Sequence, residues 1–326
     1  MKEHKPQLVP SSTSGSLRIV LALLSLPGMG RKTAHRLLAG QDCVESLEVL
    51  LQRQRGKTYD APQIEQAYAY AEKTLERSER EGIRVLSFFD SNFPLLLKSI
   101  DDPPLLLHLK GDLAALKSKV AVAIIGTREP TTFGEQSARR IAATVAKSQA
   151  IVVSGLARGC DAAAHWGCIE AKGKTVAVLA HGLDKVYPAE NKSLAEEILA
   201  TSGCLVSEYE IGQRAFKNNF VDRDRLQSGL SQAVIVIETS VVGGSMHTVR
   251  FAIQQKRIVA CIKHPPNLAS EDKVQGNKKL IDEGQAIPLE SSEEVELLLE
   301  KLHHIDAGAE EISATKPSPP QQLSIF

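Results

Sequence analysis

From Val120 onward the chain alternates short, continuously apolar runs with stretches of helical period. The apolar runs are Val120–Ile125, Ile151–Val153, Thr175–Ala180, Ala233–Glu238 and Arg257–Ile262, and Cys204–Glu208 adds another. Most are separated by amphipathic stretches such as Glu135–Lys147, Asp161–Ala171, Ser193–Ala200 and Ser245–Gln255. Strands that are apolar on both faces and alternate with helices predict an α/β fold, a mostly parallel sheet with helices on both faces. Ligands of such sheets bind beyond the carboxyl ends of the strands. That singles out five loops: Gly126–Arg128, Ser154–Gly159, His181–Asn191, Ser207–Tyr209 and Thr239–Ser245.

Ahead of this region the pattern changes. Residues 17–112 read as a small, separate and mainly helical domain. An apolar helix, Leu17–Leu26, is broken by Pro27-Gly28-Met29-Gly30 and resumes at Arg31–Leu38. A second amphipathic helix spans Ala61–Glu81, and Ile83–Asp90 reads as a short strand. The expected organisation is a disordered N-terminus (1–16), the helical domain (17–112), the sheet domain (113–303) and a disordered tail (304–326). No internal repeat is visible.

The segment Ile151–Asn191 carries the most chemistry. An apolar run meets Ser154-Gly155, a Gly-bounded loop with Arg158 and Gly159 follows, and a helix opens behind Asp161, which is placed to cap it. Backbone N–H groups at such a helix start attract phosphate, and the glycines let a ligand come close to the backbone. An ordinary strand-to-helix turn has the same appearance. The Gly243-Gly244-Ser245 turn offers a second phosphate cradle. Gly126, Arg128, Lys185, Lys192, Arg223 and Arg225 all fall in loops that a parallel sheet would gather at one rim. A basic groove of this kind follows a phosphate backbone without reading sequence. Tyr187, Phe216 and Phe220 lie among these charges as stacking faces, although Phe220 reads better as core.

Composition narrows the partner class. Lys plus Arg and Asp plus Glu both number 39, so net charge does not announce a nucleic-acid binder and any basic surface must come from local placement. Five scattered cysteines without a CxxC pair fit reduced thiols of a cytoplasmic protein. No run approaches the roughly 20 apolar residues that span a membrane. No His/Cys cluster has zinc-ligand spacing and no Ser/His/Asp spacing suggests a triad, so no metal is expected. His165 reads as a structural histidine.

Several ordered phrases resemble the DNA-processing protein A family (DprA, also called Smf). They are AIIGTREPTTFG at 123–134, SGLARGCDAAAHWGCIEAKGKTVAVLAHGLDKVYPAEN at 154–191, SEYEIG at 207–212, NFVDRDRLQSGLSQAVIVIE at 219–238 and GGSMHTVRFA at 243–252. The resemblance implies an extended Rossmann-like domain, self-association as a homodimer, binding and protection of single-stranded DNA, assistance in loading the RecA recombinase during transformation or recombination, and no catalysis or cofactor. Where the family shows an NFPxRNR-like run, this chain has Asn219-Phe220-Val221-Asp222-Arg223-Asp224-Arg225, which places two acids beside the arginines. LSLPGMGRKTAHRLL resembles a helix-hairpin-helix whose glycines, Gly28 and Gly30, and whose Arg31 or Lys32 would meet a phosphate. A small helical scaffold explains the same segment.

The tail ends in Gln322, Leu323, Ile325 and Phe326. It resembles the peptide by which bacterial replication proteins dock in the sliding clamp, with a glutamine at one end and apolar side chains filling a cleft. The rival class is a nucleotide sensor or a nucleotide N-glycosidase on the same scaffold. The glycosidase loop PGGxGTxxE corresponds here to Val242–Phe251, with Phe251 where the glutamate would stand.

Overall fold

A computed structural model of the chain describes residues 12–41, 44–54 and 56–314. The N-terminal part packs α1 (Ser12–Ser25), α2 (Arg31–Leu38), α3 (Leu47–Gln52) and α4 (Ala61–Arg80) around Val20, Leu21, Leu23, Leu47 and Leu50. Helix α4 starts where Asp60 and Gln63 cap each other reciprocally, with a proline in the first turn. Then follow β1 (Ile83–Ser87), α5 (Leu95–Lys98) and β2 (Leu106–Gly111). Helix α1 already begins at Ser12, inside the segment expected to be disordered; residues 1–11 lie outside the described residues.

The remainder alternates strand and helix. In order come β3 (Ala121–Ile125), α6 (Thr132–Lys147), β4 (Ile151–Ser154), α7 (Cys160–Glu170), β5 (Thr175–Leu179), α8 (Lys192–Ala200) and β6 (Cys204–Ser207). They are followed by α9 (Lys217–Gly229), β7 (Ala233–Val236), α10 (Ser245–Gln254), β8 (Ile258–Ile262), α11 (Asp272–Asp282), β9 (Ile287–Leu289) and α12 (Ser292–Ala314). Among the described residues these strands form one nine-stranded sheet in the order β1-β2-β6-β5-β4-β3-β7-β8-β9. Pairing is parallel from β6 through to β9.

Alternation along the strands explains both covered faces. Ala121, Ala123 and Ile125 of β3 join one core with α5, α9, α10 and α11, while Val122 and Ile124 face α6, α7 and α12. A second layer under α8 holds Leu179, Leu194, Ile198 and Leu205.

One expectation needs correction. Residues 17–112 are not a separate unit, because β1 and β2 extend the sheet as its antiparallel edge. Strand β2 pairs with β6 in the register His108↔Ser207 and Lys110↔Leu205. Gly111, at φ 109°, lets the backbone pass against Gly203, where Asp112 N–H donates to the Gly203 carbonyl at 3.0 Å. At the other end α12 continues to Ala314, beyond the expected boundary at 303.

Candidate nucleic-acid interface

The strand order fixes where a ligand can sit. From β3 the chain winds through β4 and β5 to β6 in one direction, then returns to β7 beside β3 and winds the other way. The loops after β3 and β7 therefore diverge, the arrangement that opens a crevice at the carboxyl ends of a doubly wound sheet. In this chain the crevice is about 850 Å³. A smaller outer lobe of about 200 Å³ shares Arg128, Ala157, Phe220 and Arg223 with it, so the two are continuous.

The floor is a buried charge cluster. Arg223 donates from Nη1 to the carbonyls of Gly155 (2.8 Å) and Val178 (2.6 Å), and from Nε to Asp224 (3.1 Å). Asp161 accepts the N–H groups of Gly155 (3.1 Å) and Ala157 (3.3 Å). The turn expected to hold phosphate is thus filled from within by a carboxylate in the first turn of α7, and the Cys160 N–H at the helix start donates to the Thr127 carbonyl at 3.1 Å. Ser154 is equally engaged, its hydroxyl donating to the Ile124 carbonyl at 2.6 Å. Ser154 and Gly155 are corrected to structural positions. A Cβ on Gly155 would overlap Arg223, which is the physical reason for glycine there. Gly159, at φ 73°, lets its loop pass the Thr127 and Arg128 backbone, and Gly126 packs against Cys160. These two glycines serve to bring the β3 and β4 loops together, which sets Arg128 at the lip.

The start of α6 is filled in the same way. Glu238, fully buried beyond β7, accepts from Thr131 N–H at 2.8 Å and lies 3.5 Å from His264 Nε2. The start of α10 differs. Gly244 occupies the cap position with no side-chain hydrogen bond, and Gly243, Gly244 and Ser245 line the crevice.

Cations and rings meet at the lip. Arg128 is exposed with its guanidinium 5.7 Å from the centre of the Phe220 ring, and Tyr187 lies 5.8 Å from the same ring. Phe220 is half-buried and lines both lobes, so it belongs to the site rather than to the core expected for it. Phe216 is 62% exposed, and Lys217 beside it lines the crevice. Arg158 lines the outer lobe and meets Glu190 at 3.2 Å, with both side chains more than half exposed. Exposed pairs of this kind yield readily to a stronger anion. Lys185 and Lys192 are exposed but line neither lobe, and Lys192 sits 3.9 Å from Glu196 on its own helix.

Arg225 requires a second correction. It is 4% exposed and donates to the Asp102 carbonyl (2.9 Å), the Asp222 carbonyl (2.7 Å) and Glu208 (2.6 Å). Arg31 joins the same knot, 2.7 Å from Asp102 and 3.1 Å from Glu208. The arginine expected on a DNA-facing hairpin instead fastens α2 to the sheet. The structure also adds residues that the sequence does not single out. Lys273 at the start of α11 donates to the Glu129 carbonyl at 3.0 Å and lines the crevice, with Glu271 and Asp272 beside it. Nothing in the local sequence places these three opposite Arg128; only the sheet order does.

Burial pushes the Asp224 carboxyl up to about 6, and the Arg223 guanidinium opposes that shift. Between its ordinary value and about 6 the folded chain holds a proton that the unfolded chain has released, so Asp224 makes stability fall as pH rises through that window. Protonation also removes a negative charge beside Arg128. Anion affinity at the lip should therefore rise several-fold as pH falls from 7 to 5.5, and Asp224→Asn should flatten that rise. Fluorescence anisotropy at the two pH values checks this; an unchanged slope in the variant would assign the effect elsewhere. His165 is buried, held at 2.7 Å from the Thr175 hydroxyl and pushed down to about 3 by burial. It remains a neutral structural residue. Burial drives the Cys160 thiol well above its ordinary range. Among the described residues no group of three or more His, Cys, Asp or Glu forms a metal site, and no helix is long and apolar enough to cross a membrane.

Residues 84–300 match the family described as DNA recombination-mediator protein A. The chain is 36% identical over 222 residues to the Smf protein of Synechocystis, an overlap that covers 67% of this chain but only 55% of that protein. It superposes on DNA processing protein A from Streptococcus pneumoniae with a TM-score of 0.71 at 28% identity, covering 85% of this chain and 94% of the other. DNA processing protein A from Helicobacter pylori, studied for its single-stranded DNA binding mode, superposes with a TM-score of 0.60 at 30% identity, over 67% and 96%. The chain belongs to the DNA recombination-mediator protein A family, the DprA or Smf proteins.

Proposed function

We propose that this chain is a single-stranded DNA-binding recombination mediator that holds the strand along the lip of the crevice. The observation that carries the reading is the Arg128–Phe220–Tyr187 cluster, which puts a cation and two tilted rings on one open edge. Arg158 and Lys217 continue the positive track to either side, and Phe216 offers a further exposed ring. Phosphates tracked by cations and bases stacked on rings give affinity without sequence preference. The likeness to the Helicobacter pylori protein supports the ligand class. Delivery of the coated strand to RecA and action as a homodimer belong to the same proposal. So does docking on the sliding clamp through Gln322, Leu323, Ile325 and Phe326, residues outside those described. Loss of clamp binding on deletion of 322–326, with strand binding intact, is the result this last part requires.

The central experiment is a salt titration of strand affinity. Arg128→Ala with Arg158→Ala should weaken binding equally across sequences and reduce the log–log salt slope by roughly one unit per lost phosphate contact. A folded double variant with wild-type affinity and slope would remove this lip from consideration.

A further inference from the structure

The crevice and its lip occupy the carboxyl ends of the parallel strands, and the opposite end of the sheet carries a different surface. Strand β2 runs antiparallel to β6, so it delivers the chain to the amino ends of the parallel strands. From there residues 112–120 cross that end as a strap, passing β6, β5 and β4 to enter β3. Lys174, one residue before β5, ties the strap down through Asp112 at 3.1 Å. The strap brings Lys117 and Lys119 to this rim, and the connections into β4 and β5 bring Lys147 and Lys172. These lysines are exposed and stand under three neighbouring strands, a width of about 10 Å. Lys110 at the end of β2 and Lys256 before β8 extend the line to either side.

Local electrostatics explains only part of this. Helices α6 and α7 end here, and the negative end of a helix favours a cation, which accounts for Lys147 and Lys172 singly. Lys119 and Lys174 lie on no helix, and Lys117 closes a single short turn. The last turns of both helices are closed by backbone donors, which blunts their pull against an anion. Gln149 N–H donates to the Ala146 carbonyl at 3.0 Å, Lys172 N–H to Ile169 at 2.8 Å and Gly173 N–H to Cys168 at 2.9 Å. The acids on the same turns are engaged, Asp112 by Lys174 and Glu170 by Arg139 at 2.5 Å. Among the described residues Lys117, Lys147 and Lys172 have no carboxylate within ion-pair distance.

We propose that this amino-end rim binds the phosphate backbone of duplex DNA, on the face opposite the lip. Ring content decides between the nucleic acids. A single strand is held by cations interleaved with stacking faces. The exposed rings among the described residues, Tyr70, Phe133, Tyr187 and Phe216, all lie elsewhere. A duplex keeps its bases stacked and offers roughly one charge per 1.7 Å of its axis, which lysines meet without reading sequence. An anionic bilayer favours apolar side chains that enter the headgroup layer. None of the large exposed apolar side chains among the described residues lies on the strap or on the turns into β4 and β5. The surface goes beyond strand binding at the lip and does not depend on it.

Fluorescence anisotropy of the full chain with a short blunt-ended duplex at low salt tests this. Lys117→Gln, Lys147→Gln and Lys172→Gln together should lower duplex affinity by at least about tenfold and reduce the log–log salt slope by about 0.9 per lost contact. Oligothymidylate affinity should stay at the wild-type value in that variant. The matching triple arginine variant, which keeps the charge, should bind duplex as the wild type does. Saturating oligothymidylate should leave the duplex bound, and the Arg128/Arg158 double variant should bind duplex normally even where it loses the single strand. The proposal is overturned if the glutamine variant keeps wild-type duplex affinity and slope, or if the wild type binds no duplex at low salt. Displacement of the duplex by oligothymidylate would place both on the lip and overturn it as well. Binding to phosphatidylserine vesicles that the glutamine variant loses, with no duplex bound, would assign the rim to a bilayer instead.

Discussion

Gly155→Ala should cost about 3–5 kcal/mol of stability, the range for breaking a buried ion pair. The added methyl would overlap Arg223 Nη1 and come within 2.5 Å of Gln227 Nε2. Arg223 cannot step aside cheaply, because the Gly155 and Val178 carbonyls and the Asp224 carboxylate hold the guanidinium on three sides. Moving it would leave Asp161 and Asp224 buried beside each other without their shared cation. Urea unfolding reads the effect as a lower midpoint at unchanged slope. An alanine variant as stable as the wild type would mean that the floor rearranges freely and that Arg223 is not held rigidly between the two acids.

Arg225→Met should be similarly costly, about 3–5 kcal/mol, because it strands Glu208, whose side chain is 10% exposed. Arg31 still reaches Glu208 at 3.1 Å, so the knot loosens rather than dissolves. Adding Glu208→Gln to Arg225→Met should recover part of the loss, since the uncompensated charge goes with it, and the double-mutant cycle measures that coupling. If Arg225 met phosphate at the lip, its replacement would spare stability and weaken strand binding instead. Thermal unfolding and strand affinity on the same variant decide between the two.

These two residues also show where the sequence stops being readable. The parallel strands are legible because each is apolar on both faces and bounded by helical period; the Val120–Ile125 run differs from β3 by one residue. Helix α9 is not, because its buried face is polar. Arg223, Arg225, Gln227 and Ser228 are buried with hydrogen bonds in place of apolar contacts, so no amphipathic stripe marks it and the segment reads as a charged loop. Strand β2 escapes for another reason. Its partner β6 lies about a hundred residues away, and no local signal reports a pairing made at that distance. In the site, Arg128 and Arg158 sit on the crevice as their loop positions imply. Asp161 is visible as a cap, yet the cap is also what removes the Ser154–Gly155 turn as an anion cradle. Phe220 takes a different role from the one its own segment suggests, because its neighbours Tyr187 and Arg128 come from other loops.

The antiparallel edge made by β1 and β2 sets where this protein can be divided. A cut at residue 113 would strip β6 of its antiparallel neighbour, now paired in the register Leu109↔Val206 and Lys110↔Leu205, baring an edge that invites pairing between molecules. Anyone grafting the crevice onto another scaffold, or exchanging the helical cap between relatives, must therefore carry Ile83–Gly111 with the sheet and place the seam after α4.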